Sequence, residues 1–155
     1  MYSFANDYSE GAHESILAAL IQTNREQTDT YGLDTYCAQA RAAILQHLDN
    51  PNSRVHFLMG GTQANLTLIA AALRPHQGVI SADSGHINVH ESGAIEATGH
   101  KVLSLPATDG KLTAQQVADC IDAHYADPTA EHMVQPALVY ISHPTEIGTL
   151  YTKAE

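Results

Sequence analysis

At 155 residues, with 44% apolar and 15% charged residues, the chain has the composition of a globular protein with one sizeable core, not of a disordered segment. Seventeen acidic against seven basic residues give a formal net charge of -10, a field that argues against nucleic acid and anionic membranes as partners. Any phosphate or carboxylate ligand must then be gripped locally, by helix N-termini or single basic side chains.

From Met1 to Asp7 the chain has neither a basic start nor an apolar run, and no stretch reaches the roughly 18 apolar residues of a membrane span. Cys37 and Cys120 lie far apart in helical patterns without a CxxC pair, so reduced, buried thiols in a soluble cytoplasmic protein are expected. Residues 1–50 read as an N-terminal helical segment. Apolar residues at three- and four-residue spacing predict helices over residues 15–21 and 34–48, the second with Asp34 as its N-cap and stopped by Asp49-Asn50-Pro51-Asn52.

From residue 51 the pattern alternates. It predicts a strand over 55–58, a helix over 62–73, a strand over 79–81, a segment of helical spacing over 86–97, a strand over 101–105, a helix over 113–125 and a strand over 137–141. Arg74-Pro75, Asp109-Gly110 and Asp127-Pro128 mark breaks between units. The expected fold is α/β, a parallel sheet with flanking helices. The run from Thr145 to Glu155 reads as a turn, a short extended piece and a helix cap, so a premature end, an uncovered sheet edge and a covering second chain or copy are expected.

Three places carry chemistry. Gly60-Gly61-Thr62-Gln63 falls between a strand and a helix, where free backbone N–H groups and the helix dipole favour an anion. The plainer alternative is a tight turn capped by Thr62. The turn is neither a Walker A loop nor a GxGxxG fingerprint. His86 and His90 are four residues apart with Glu91 adjacent, which leaves three readings open. The imidazoles chelate a divalent metal for hydrolysis, or one lies flat on an aromatic cofactor while Glu91 handles water or a proton, or they are packed and solvated histidines. Thr145 and Glu146 follow a strand's carboxyl end, where open α/β sheets place their ligand crevice.

Taken together, these runs resemble the low-specificity L-threonine aldolase and β-eliminating lyase group of the fold-type-I, aspartate aminotransferase-like enzymes that use pyridoxal 5'-phosphate. The resemblance spans essentially the whole chain. It rests on Asn6-Asp7, Tyr31-Gly32-x-Asp34, Gly61-Thr62-Gln63-Ala64-Asn65, Gly85-His86 with Glu91-x-Gly93, Asp109-Gly110-Lys111-Leu112, and Thr145-x-x-Gly148. Its specific part is Gly-Thr-Gln-Ala-Asn in register with the downstream His and Glu.

The resemblance implies that residues 51–155 are the first part of the cofactor-binding large domain, truncated at the C-terminus. It makes Gly61 and Thr62 the phosphate cradle with Gly60 and Gln63 beside them, stacks His86 on the cofactor ring, and places Glu91 near the ring and the catalytic water. Asn6, where the family usually has a serine, and Tyr31, contributed across a dimer interface, would contact the amino-acid substrate. Glu146 stands where many members carry a histidine used around the substrate hydroxyl. The implied reaction is cleavage of the Cα–Cβ bond of a β-hydroxy amino acid to glycine and an aldehyde, in a homodimer or homotetramer with no metal. The family's lysine that tethers the cofactor, its aspartate on the ring nitrogen and its carboxylate-binding arginine are expected beyond Glu155. Lys101, Lys111 and Lys153 are expected on the surface, and the fragment is expected to be inactive alone.

Overall fold

The computed structural model describes Ser3, Ala5, Asn6 and residues 8–155, in two compact units, Met1–Phe57 and Leu58–Glu155. The Asn6-Asp7 pair is therefore seen only at Asn6, Asp7 lying outside the described residues.

The first unit holds α1 (Glu14–Thr23) and α2 (Thr35–Leu45). His13 Nδ1 accepts from the Ser15 N–H at the start of α1. Asp34 caps α2 as expected, its carboxylate accepting from the Cys37 N–H at 2.8 Å, a bond that holds its pKa below the usual value. Neither helix buries a residue. Arg41 closes the loop before α2 by donating to the Gly32 carbonyl, and its guanidinium lies 5.8 Å from the centre of the Phe57 ring.

The second unit is a parallel three-stranded sheet in the order β2-β1-β3, with β1 (Gln77–Ala82), β2 (Val102–Leu105) and β3 (Gln135–Val139). α3 (Gly61–Ala72) precedes β1, α4 (His86–Val89) follows it, and α5 (Ala114–Ala126) joins β2 to β3. The chain steps from β1 out to β2 and then back past β1 to β3. Right-handed crossovers on such a path put the covering segments on opposite faces, and the core divides accordingly. Val79 faces Ile69 and Leu73 of α3 with Ile87 and Ile95, whereas the next residue, Ile80, faces Leu112 and the α5 side chains Val117 and Ile121. Burial on both faces explains why Val79-Ile80-Ser81-Ala82 reads as an almost continuous small and apolar run without polar alternation.

Local chemistry sets the joints. Thr113 and Gln116 form a reciprocal capping box at the start of α5. Gly78 sits where β1 shifts register against β3, and a Cβ there would lie 2.7 Å from both the Lys101 carbonyl oxygen and Val134 Cγ1. Gly110, at φ +73°, lets the turn after β2 pass Thr145, whose Oγ1 would lie 2.9 Å from an added Cβ. Lys111 binds both Glu155 oxygens at 2.9 and 3.0 Å. The Thr152 N–H together with this ammonium holds the Glu155 carboxyl down at about 2.

Several sequence expectations are corrected. Residues 55–58 form no strand, because alternation specifies a face to bury but a strand also needs a neighbouring backbone, and the sheet among the described residues consists of β2, β1 and β3. The segment over 86–97 is not one helix. It breaks after α4 at Ser92 and Gly93, with φ of 52° and 74°, and resumes only as a 3-10 turn at Glu96–Thr98. β3 begins two residues earlier than expected and contains Pro136, which an edge strand tolerates because its missing N–H need not face a partner. Thr62 does not cap α3; Gly60 occupies the N-cap position and no side chain closes that end. Both cysteines are free but half-buried, and Lys111 is half-buried while Lys101 and Lys153 are exposed.

Candidate active site

The path of the chain defines where a ligand belongs. β1 and β3 are parallel neighbours, and open parallel sheets place their ligands in the crevice outside the carboxyl ends of the strands. Asp83-Ser84-Gly85-His86 leaves β1 there, and Tyr140-Ile141-Ser142 leaves β3. The two exits meet where the His86 N–H lies 3.5 Å from Ser142 Oγ. Gly85 makes the tight exit from β1 possible, since a Cβ at that position would overlap Ser81 Oγ.

α3 presents its amino end with donors unused. Its first intrahelical bond runs from Ala64 N–H to the Gly60 carbonyl at 3.0 Å, so the N–H groups of Gly61, Thr62 and Gln63 have no acceptor among the described residues. A Cβ built on Gly60 or Gly61 meets nothing within 4 Å, which leaves the backbone open to close approach. Gln63 Oε1 accepts from the Met59 N–H at 2.8 Å and steadies the incoming loop. Three donors without acceptors among the described residues at the positive end of a 12-residue helix are the chemistry that favours an anion.

From the same helix Asn65 Nδ2 donates to Glu91 Oε1 at 2.6 Å, and that oxygen also accepts from His86 Nδ1 at 2.8 Å. The Glu91 side chain is fully buried, whereas that of His86 is 41% exposed. Since an ionised carboxylate only accepts, the geometry pairs it with the Nδ1–H tautomer of His86, whose Nε2 has no partner among the described residues. Glu91 Oε2 is buried with no hydrogen-bond partner among the described residues. The His90 ring lies 5.6 Å from that of His86, tilted by 53°. No three His, Cys, Asp or Glu side chains among the described residues group around a common metal position.

Of the remaining predicted residues, Asn6 and Tyr31 belong to the first unit and Glu146 to the second. Asn6 lies in the first unit with its Oδ1 accepting from the Tyr8 N–H and Ser9 Oγ, at 3.1 and 2.6 Å. Tyr31, also in the first unit, has φ of 58° and is 98% exposed. Glu146 is exposed in a turn built by its neighbours, in which Thr145 bonds Thr149 and Thr149 Oγ1 donates to the Asp109 carbonyl. It makes no hydrogen bond or ion pair to His86 or Glu91. The sequence reading did not single out Asn65 or Ser142 as site residues. Asn65 had a signal in its place one helical turn after Gly61, on the side chain row above the anion site.

The parallel sheet flanked by helices defines an α/β protein, with the open amino end of α3 and a buried carboxylate behind a half-exposed histidine in its second unit. The family model for β-eliminating lyases matches residues 4–155, and the chain belongs to that family. It is 30% identical to the low specificity L-threonine aldolase of Pseudomonas aeruginosa and 28% identical to that of another Pseudomonas strain, each over 98% of this chain and 43% of the relative. A solved structure of Leishmania major threonine aldolase is 51% identical and superposes with a TM-score of 0.89, covering all of this chain and 44% of its own. The chain thus spans less than half the length of the relatives it matches.

Proposed function

We propose that this chain forms the first part of a cytoplasmic, homo-oligomeric lyase that uses pyridoxal 5'-phosphate to cleave the Cα–Cβ bond of a β-hydroxy amino acid, giving glycine and an aldehyde. The observation that carries the reading is the conjunction, on one helix, of an unblocked anion site and the asparagine that anchors Glu91 and His86. The residues present fit the cofactor. The N–H groups of Gly61, Thr62 and Gln63 supply the donors a phosphate needs, and the bare Gly60 and Gly61 backbone leaves it room. His86 offers an aromatic face held in place through Nδ1, as a planar ring ligand requires. When bound, such a cofactor supplies an electron sink for the charge left at the substrate's α-carbon.

The chain's own residues then divide the work. The amino end of α3 holds the phosphate and so sets the ring's position. His86 supports the ring, with Nε2 free to accept a proton or a hydrogen bond. Glu91, buried behind it, balances the imidazole and keeps one oxygen unengaged for a water or a donor. Tyr31 and Asn6 are proposed as substrate contacts, and Glu146 as the residue near the substrate hydroxyl. In the protein extended to the length of its relatives, added cofactor should give a visible absorbance band, and L-threonine or another β-hydroxy amino acid should yield glycine. Absence of the band would refute the cofactor reading; a band without glycine would refute the aldol cleavage.

A further inference from the structure

We infer that Asn65 is a positioning residue of this site, fixing the direction of the group at position 91 and, through the Glu91 carboxylate, the plane of the His86 imidazole. The inference rests on the reading of His86 as the side chain that faces the bound ring.

Glu91 Oε1 is the shared acceptor of two donors, Asn65 Nδ2 at 2.6 Å and His86 Nδ1 at 2.8 Å. The rotation that points a carboxylate is broad, so the side chain does not by itself fix the carboxylate plane or the direction in which Oε1 meets the imidazole. Nothing on the Oε2 side fixes it either, since that oxygen is buried without a partner among the described residues. Asn65 is the second donor that holds it. It sits on α3, the same 12-residue helix that presents the N–H groups of Gly61, Thr62 and Gln63. One rigid element therefore sets both the anion site and the plane of the imidazole, so the two keep a common register although His86 lies on a different element, between Asn65 and Glu91 in sequence. α4 is a single turn and could not hold that register alone.

A purely structural asparagine would be indifferent to the polarity of its hydrogen bond, which the test reverses. Long-range proton–nitrogen NMR spectra of histidine-labelled full chain, without cofactor, report which imidazole nitrogen carries the proton; the His86 signals are assigned by their loss in His86→Gln. The wild type should show Nδ1–H. In Glu91→Gln, Asn65 should hold the new carbonyl oxygen at the shared position, and His86 should stay Nδ1–H. In Asn65→Asp/Glu91→Gln, the Asp carboxylate should instead draw the Gln NH2 to that position, leaving His86 Nδ1 to accept and moving the proton to Nε2. An unchanged Nδ1–H form in the folded double variant overturns the inference. Should that variant not fold, Asn65→Ala/Glu91→Gln replaces it: a population of Nε2–H supports the inference and pure Nδ1–H overturns it. The spectra need no cofactor, so a wild type that binds none would remove the functional reading while leaving this result to stand or fall separately.

Discussion

Gly61 shows how little a single residue needs to carry for the site to work. It is the first residue of α3, and beyond its chain neighbours and its own helix turn an added methyl group would meet nothing within 4 Å. Alanine is the better helix former by roughly 0.5–1 kcal/mol, so Gly61→Ala should leave the thermal midpoint unchanged or raise it. The same methyl group stands over the free N–H groups, so affinity for a phosphate-bearing cofactor should fall on the order of tenfold, about 1.4 kcal/mol. Thermal denaturation beside a cofactor titration checks both; a variant that loses stability and affinity together would mark Gly61 as merely structural. At this scale the open helix start could be read from Gly60-Gly61-Thr62 because helix-end chemistry is local. The Asn65 to Glu91 bond could not, because the two positions are 26 apart in sequence and the left-handed backbone of Ser92 and Gly93 shapes the turn after Glu91.

Among the elements, β1 is the keystone, with neighbours on both sides and a core on each face. Its weak point is Gly78, where a Cβ would press on the Lys101 backbone oxygen and the Val134 side chain at 2.7 Å. A backbone neighbour within a ladder cannot yield as a side chain tip does. Gly78→Ala should therefore cost about 1–3 kcal/mol, the usual penalty of overpacking, seen as a lower urea midpoint at unchanged slope. An unchanged midpoint would show that the register shift beside Gly78 absorbs the methyl group. Helix positions were readable from three- and four-residue spacing and from the Asp34 cap, which acts within one turn, while the capping box of Thr113 and Gln116 emerges from the structure. The strand expected over 55–58 was not, since pairing depends on backbone elsewhere in the chain, and the segment over 86–97 could not be resolved into α4 and a 3-10 turn because Ser92 is a residue type that gives no warning of a positive φ.

For the whole molecule, the reversal of direction after β2 is what brings His86 and Ser142 together at the exits of β1 and β3. The alternating pattern foretold a parallel sheet but not the order β2-β1-β3, because strand order is set by crossover handedness and by which faces each helix covers. Val139 and Ile141 remain 46% and 49% exposed along the β3 exit in a chain that spans 43% of its Pseudomonas relatives and 44% of the Leishmania structure. The claim on which the functional account turns is that the amino end of α3 grips a phosphate. It is tested most directly by titrating the protein, at its relatives' length, with pyridoxal 5'-phosphate and with pyridoxal, two ligands that share a ring and differ in the anion. The account predicts at least about tenfold tighter binding of the phosphorylated compound, about 1.4 kcal/mol, at equal ionic strength. Equal affinities would contradict it.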